Sequence, residues 1–454
     1  MAKAPAKTSD PEALLEVALL DAGLRGCRVV AGLSGGVDSV ALLQALVRVA
    51  PTMNVTPAAV HVHHGLSAHA DEWAQFCAKL CRDLSIELTE VRVHVDRGLK
   101  LGIEGAAREA RYAVFRQQRA DAVALAHHAD DQAETLLLQL LRGAGVRGLS
   151  AMPALRTLNP VSGLRLLRPW LTLTRPEIQA YAERAKLSWV EDESNADEGF
   201  DRSFLRARVL PLLTARYPSL HETLGRAAQN LGDAAQLLDD LAARDARGAV
   251  AGDSLAVSAL AALSPAGGRN VLRWFLEQQH LPAPTRDQLD EARRQALAAR
   301  ADARVRVKVG AAWLRRHRGR LYVEPAGREP AKGWRAAWTG QHELTLPGDL
   351  GCLRFEPTRG AGLSLARLRA EPVTVALRAG GERLRPAANR PSRTLKNLLH
   401  EAHVPEWERD RLPLIFVAET LVWVPGVGQD FRFAAAPDEP GLLPRWEHAG
   451  IVSP

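Results

Sequence analysis

Residues 29–42 read Val29-Val30-Ala31-Gly32-Leu33-Ser34-Gly35-Gly36-Val37-Asp38-Ser39-Val40-Ala41-Leu42: an apolar run, a paired-glycine turn and a helix-like stretch. A strand, a tight turn and a helix N-terminus in that order let the backbone approach a polyanion. The glycines lack the Cβ atoms that would hold it off, and unpaired N–H groups, the helix dipole and the Ser34 and Ser39 hydroxyls converge on one point. Phosphate is the expected ligand, with Ser34, Gly35, Gly36, Val37, Asp38 and Ser39 around it. The spacing is neither Gly-x4-Gly-Lys-Ser/Thr nor Gly-x-Gly-x-x-Gly. Ser-Gly-Gly alone is often a plain turn; the preceding strand and Asp38 distinguish this one.

Outward from the loop, residues 28–126 alternate short β-rich runs with helical ones, at 29–33, 58–62, 86–95 and 122–126 for the strands. Repeated β-α units predict an α/β fold with a doubly wound parallel sheet. Ligands of such sheets bind beyond the carboxyl ends of the strands. The glycine loop, residues 61–64 and residues 127–131 are therefore expected in one crevice.

His127-His128-Ala129-Asp130-Asp131-Gln132-Ala133-Glu134 follows a strand and opens a helix. Asp131 and Glu134, three apart, share a face of its first turn and suit one ammonium group or a divalent ion. Acids in a first turn also cap the helix, and that reading stays open. Arg108 and Arg111 form a two-cation ridge on a helix, either a solvated face or a phosphate grip. In His61-Val62-His63-His64, alternation puts His61 and His63 on one face, one as core and another as a site residue. No carboxylate or cysteine lies at metal-ligand spacing to these histidines.

The 454 residues suffice for two or three domains with real cores, and the formal charge of +7 suits a polyanionic partner. Cys27, Cys77, Cys81 and Cys352 make no Cys-x-x-Cys pair, so zinc and iron–sulfur chemistry are not indicated, and Cys77 and Cys81 read as core thiols. Residues 1–10 lack an apolar signal core, and no stretch approaches the ~20 apolar residues of a membrane helix. A cytoplasmic enzyme without a membrane partner is expected, and a homodimer is admitted.

Beyond residue 211 the sequence turns Ala- and Leu-rich and helical, closing with Arg304-Val305-Arg306-Val307-Lys308-Val309, whose strict alternation puts three cations on one strand face. A hairpin is expected across Arg318-Gly319. Residues 326–371, rich in Gly, Pro and Trp, read as a connecting region with short strands. From 372 a β-rich unit carries Arg378, Arg383, Arg385, Arg390, Arg393 and Lys396 against only Glu382, a second basic patch without enough acid for an ion-pair lattice. The expected domains are 1–216, 217–325 and 372–454, with 326–371 as linker.

The loop resembles the pyrophosphate loop of ATP pyrophosphatases, and the chain as a whole resembles the bacterial tRNA(Ile)-lysidine synthetases. Matching segments are 34–39, 61–67, 104–112, 126–135 with 141–145, Arg168-Pro169-Trp170-Leu171 with 175–178, 189–195, 378–382 and 404–409. Departures from the family pattern are His63 for Asn, Gly105 for Ala, Ser203 where Arg-Asn is typical, and a less lysine-rich 393–397. The resemblance implies a PP-loop, adenine nucleotide α-hydrolase-like catalytic domain, a mainly helical middle domain and a small α+β C-terminal domain. It implies that ATP adenylates the C2 oxygen of the wobble cytidine in the CAU anticodon of isoleucine tRNA. The ε-amine of L-lysine then displaces AMP, giving lysidine and moving codon recognition from AUG to AUA.

On that scheme Asp38 supports Mg²⁺ or phosphate, Arg108 and Arg111 neutralise departing pyrophosphate, and His61 and His64 stand at the ATP site. Asp131 and Glu134 hold the lysine ammonium and accept its proton, with His127 or His128 sharing that role. Arg304, Arg306, Lys308, Arg378, Arg383, Arg385, Arg393 and Lys396 meet tRNA phosphates. The alternatives are a PP-loop tRNA thiolase or amide-forming ligase, for which reactive cysteines are missing, and a non-catalytic RNA-binding adaptor, which Asp38, Asp131 and Glu134 together fit poorly.

Overall fold

The structure is a computed structural model that describes residues 10–95, 102–191, 201–279, 281, 284–298, 305–310, 312–325, 333–348, 350–389 and 391–447. Arg304, Arg390, the 192–195 end of one matching segment and the Glu104 side chain lie outside the described residues. The chain divides into two compact units, Met1–Leu237 and Leu238–Pro454.

The first unit is built on strands β1 (Arg28–Gly32), β2 (Thr56–His63), β3 (Glu87–Arg92), β4 (Ala122–Ala124), β5 (Leu155–Asn159) and β6 (Leu164–Leu167), in the order β3-β2-β1-β4-β6-β5. β3, β2, β1, β4 and β6 run parallel. β5, which the sequence reading did not foresee, pairs antiparallel at the edge. Helices α1 (Pro11–Asp21), α2 (Val37–Met53), α3 (Ala70–Asp83), α4 (Gly102–Arg116), α5 (Ala129–Leu141), α6 (Val146–Leu149) and α7 (Arg175–Arg184) accompany them.

Both faces of the sheet are covered, which is why its central strands read as continuous apolar runs. On one face Val29, Ala31, Ala59, Ala122 and Ala124 pack with Leu15, Leu19, Leu42, Leu46, Cys77 and Ile178 of α1, α2, α3 and α7. On the other, Val30, Val60, Val123, Leu164 and Leu166 meet Tyr112, Val114 and Phe115 of α4. Each leucine buried this way contributes about 1.5–3 kcal/mol. Helix starts carry their own signals. Asp10 accepts from Glu12 N–H at 3.2 Å before Pro11, and Thr174 N–H donates to Glu177 at 2.7 Å in a capping box. The strand order reverses between β1 and β4, so the crevice opens where the glycine turn after β1 faces the segment after β4.

Past α7 the chain forms α8 (Asp201–Phe204), a π-helical turn (Leu205–Val209), α9 (Leu210–Arg216) and α10 (Leu220–Asp245). The first unit thus reaches into α10, beyond the boundary expected at 216.

In the second unit, α12 (Pro265–Gln278), preceded by the short α11 (Val257–Ala261), and α13 (Arg286–Ala298) pack on an antiparallel sheet of Val250–Ala251, Ser254–Ala256, Arg320–Pro325, Ala312–His317 and Arg306–Val309, in that spatial order. Val305, Val307 and Val309 enter the core with Phe275 and Leu272, while Arg306 and Lys308 are exposed, as the alternation required. The hairpin turns at Arg318 and Gly319, both at positive φ (48° and 74°), the pairing a two-residue hairpin turn favours.

Within the expected connecting region, the described residues of 335–359 form strands of packed sheets. Arg335–Trp338 pairs with Val373–Leu377, Glu343–Thr345 pairs with Cys352–Arg359, and the latter pairs along its length with Pro440–Glu447. Trp338, Phe355 and Leu363 share one core with Val375, Ile415 and Trp423. The short strands expected here are present, but they belong to sheets completed by segments distant in sequence, which a local reading does not show.

Candidate active site

The glycine turn is held from behind. Leu33 N–H donates to Val60 O at 2.9 Å, and Ser34 N–H donates to Ser39 Oγ, which itself donates to Gly36 O at 2.9 Å. Gly35 has φ +93°, and a Cβ there would stand 2.9 Å from Val190 Cγ2, so glycine is required for conformation and for space. Gly36 caps α2 without a side-chain hydrogen bond, leaving the first N–H groups open to an anion.

Asp38 lies in that first turn. Burial pushes its pKa up, against the pull of His128, Arg175 and Arg206. Its Oδ1 is buried without a hydrogen-bond partner among the described residues, which is the chemistry a cation or a phosphate-bound ion completes.

The segment after β4 faces it. His128, 3% exposed, places Nε2 3.8 Å from Asp38 Oδ2 and 3.5 Å from Asp131 Oδ2, and Nδ1 3.3 Å from Asp130 Oδ2. Burial opposes the charge of His128, but the three carboxylates outweigh it and hold its pKa above the ordinary value. Asp130 Oδ1 lies 3.1 Å from His221 Nε2, and Oδ2 accepts from Arg175 N–H at 2.9 Å; against its burial, His128, His221 and that backbone bond keep Asp130 well below the usual carboxylate range. Asp131 Oδ2 accepts from His128 N–H at 3.1 Å, so the capping interaction is present too. His127, by contrast, is driven neutral by burial.

Asp131 and Glu134 converge on one cation, as their spacing predicted, and that cation is Arg206. Its Nη2 lies 3.4 Å from Asp131 Oδ1 and 3.0 Å from Glu134 Oε2, and its Nε lies 2.6 Å from Glu134 Oε1. Arg202 Nε adds a contact to Glu134 at 3.2 Å. Glu134 is wholly buried, and burial raises its pKa against the pull of Arg206. The open carboxylate pair expected for an ammonium is thus corrected: in this state Glu134 is shielded and its oxygens are occupied. Arg202 and Arg206 were missed as site residues, although their i, i+4 spacing puts two guanidiniums on one helix face. Arg206 lies in the π-helical turn, a local underwinding common at functional positions.

His61 is buried behind the loop with Nδ1 2.9 Å from Leu33 O, and burial lowers its pKa, so it braces the turn rather than facing the crevice. His63 reaches Asp71 at 3.2 Å. His64, pushed down to about 4 by burial and Arg111, accepts from Arg111 Nε at 3.4 Å. Arg108 and Arg111 are exposed, and Arg108 Nη2 contacts the Tyr112 hydroxyl at 3.4 Å.

Cys77 and Cys81 are buried, free and pushed up by burial to about 12 and about 11, inert thiols rather than nucleophiles. Among the described residues no helix is long and apolar enough to cross a membrane.

The basic residues of the second unit divide. Arg306 lies over the Trp313 ring at 4.1 Å, with Lys308 exposed beside it on an edge strand. Arg383 and Lys396 are exposed, Arg383 holding Ser392 O at 2.6 Å, while Arg385 stacks on Phe431 at 4.8 Å. Arg378 pairs with Asp410 at 3.4 Å and Glu382 at 3.6 Å, and Arg393 pairs with Glu401 at 2.7 Å. With Arg306, whose Nε lies 3.9 Å from Glu324 Oε2, these two correct the expectation of patches without local acid; Glu324, Glu401 and Asp410 are brought in from outside each patch's own run of residues.

Residues 14–213 match the PP-loop domain family, 255–322 the TilS substrate binding domain and 373–446 the TilS substrate C-terminal domain. The chain is 43% identical over 426 residues to the tRNA(Ile)-lysidine synthase of Nitrosomonas europaea, covering 94% of this chain and 93% of that protein. It is 41% identical to that of Azoarcus sp. strain BH72, with the same coverage. Among solved structures, a tRNA thiolase from Methanococcus maripaludis covers 49% of this chain and 78% of its own at 19% identity, with a TM-score of 0.41.

Proposed function

The chain belongs to the tRNA(Ile)-lysidine synthase family, and from that premise we propose how its residues divide the work of ATP-dependent ligation of L-lysine to the C2 position of the wobble cytidine of isoleucine tRNA. It is an ATP-using, tRNA-modifying ligase. The observation that carries the assignment of residues is the convergence of Asp38, on the glycine turn, with His128, on the segment after β4.

In the first step the C2 oxygen of cytidine attacks the α-phosphorus of ATP and pyrophosphate leaves. The N–H groups at the start of α2 and the Ser34 hydroxyl, with Ser39 bracing the turn from behind, receive the phosphate oxygens, and Arg111 balances the charge that builds on the leaving group. Asp38, whose Oδ1 has no hydrogen-bond partner among the described residues, would hold Mg²⁺, which supplies further neutralisation of the phosphates.

In the second step the lysine amine displaces AMP from C2. Asp131 and Glu134 already gather around one cation, and the lysine ammonium takes the place that the Arg206 guanidinium holds in this state. The amine must lose a proton to attack. Asp131, held low in pKa against its burial chiefly by His128, orients the ammonium; Glu134, raised by burial, is the better proton acceptor of the two. The exposed cations Arg306, Lys308, Arg383 and Lys396 carry tRNA backbone.

The test incubates the protein with unfractionated tRNA, ATP and labelled lysine, digests to nucleosides and looks for one labelled cytidine derivative with stoichiometric AMP. Label in no nucleoside, with wild-type protein folded, would overturn the reading.

A further inference from the structure

Arg168 is a guanidinium 3% exposed whose acceptors among the described residues are all uncharged: Nε donates to His127 Nδ1 at 3.1 Å, Nη1 to Pro153 O at 2.8 Å and Nη2 to the Tyr112 hydroxyl at 3.3 Å. Two more guanidiniums gather on the same tyrosine. Arg108 Cζ lies 5.1 Å from its ring centroid and Arg156 Cζ 5.3 Å, both side chains exposed. No carboxylate pairs with Arg108, Arg156 or Arg168 among the described residues. Three like charges around one phenol, one of them buried, repel each other and cost free energy unless an anion joins them. Everything else about the cluster agrees with that. The phenol of Tyr112 is made more acidic, the three arginines outweighing its burial, and the charge of Arg168 is disfavoured by burial.

Position narrows the anion. Arg168 directly follows β6, His127 follows β4, and Arg156 on the edge strand β5 pairs with Leu166, so the cluster stands at the carboxyl ends of the strands. Tyr112 packs on the sheet face opposite α2, whose N-terminus serves the nucleotide phosphates. The base to be modified must enter the crevice between these faces, and its flanking backbone phosphates must rest on the rim.

We propose that Arg108, Arg156 and Arg168, arranged around Tyr112, form a second phosphate site on the rim of the crevice, and that it seats a backbone phosphate of the tRNA next to the nucleotide being modified. Bidentate guanidinium–phosphate bonding supplies both the missing charge and a fixed register for the inserted base. The site rests on the functional reading above and adds Arg156 to it as a substrate-positioning residue.

Arg156 is exposed, so its replacement leaves the core intact. Full-length wild type, Arg156→Ala and Arg156→Lys are compared for the KM of isoleucine tRNA, ATP and lysine, for inhibition by pyrophosphate and for thermal midpoint. The expected result is a tRNA KM raised roughly tenfold or more in Arg156→Ala, partly restored in Arg156→Lys, with ATP, lysine and pyrophosphate constants unchanged. Weakened pyrophosphate inhibition with unchanged tRNA KM would overturn the RNA assignment and make the anion the leaving group. A lowered midpoint with no selective change in any constant would overturn the site altogether. Wild type that forms no lysidine would sink the functional reading itself, a result distinct from an unaltered Arg156 variant beside an active wild type.

Discussion

His128 Nε2 stands 3.8 Å from Asp38 Oδ2, although the two residues are delivered by different strands of the sheet, β4 and β1. The pair joins the nucleotide side of the crevice to the carboxylates on its other wall, and each partner shifts the pKa of the other.

Replacing Asp38 with alanine removes a carboxylate at the mouth of a turn that is held by backbone bonds it does not make. AMP formation is expected to fall at least about a hundredfold, as for loss of one group that stabilises transition-state charge, while the thermal midpoint stays near wild type. AMP release and a melting curve on the same preparation check both halves.

Arg206→Ala leaves the buried Glu134 carboxylate with Arg202 as its remaining guanidinium. The expected loss is up to about 3–5 kcal/mol, the range for breaking a buried pair. Adding Glu134→Gln to that variant should recover part of it, because the unpaired charge goes too. Glu134→Gln alone should raise the lysine KM several-fold and leave the ATP KM in place. Denaturation curves of the three variants and steady-state kinetics of the last decide it.

His221 is raised in pKa by the Asp130 carboxylate 3.1 Å away, which exceeds the effect of burial, and Asp130 is depressed in turn. A raised histidine stabilises fully below its unfolded value near 6.5, and that contribution is lost as pH rises through the folded value. The depressed Asp130 stabilises above its unfolded value near 3.9 and loses that only as pH falls towards its folded value. The couple therefore acts most strongly between about pH 4 and 6.5. His221→Gln is expected to cost about 1–2 kcal/mol near pH 6 and progressively less above pH 7. A gap between variant and wild type that is constant with pH would remove the charged bond from the account.

The basic surface separates by partner. Lys308→Ala and Lys396→Ala should each lower the slope of log K for tRNA against log salt by just under about one unit, the release expected per phosphate contact. Arg378→Ala and Arg393→Ala, already paired with acids, should leave the slope unchanged. Binding titrations at several salt concentrations measure all four.

Much of this protein was legible along the chain. The strand–glycine–helix order at 29–42, the paired carboxylates opening α5 and the alternation of Arg306 and Lys308 against Val305, Val307 and Val309 are local facts, set by φ preferences, by the helix's open first turn and by side-chain periods of 3.6 and 2 residues. Those rules operate within a few residues, so a sequence states them directly. The short strands within 335–359 were expected, but the sheets they join stayed hidden because those sheets are completed by strands at 373–377 and 440–447. Arg206 on Glu134, His221 on Asp130 and the guanidiniums around Tyr112 stayed hidden for a related reason. A buried charge must find its counter-charge wherever the fold brings one near, and no spacing in the sequence records that meeting; it is decided when the layers of the domain close on each other.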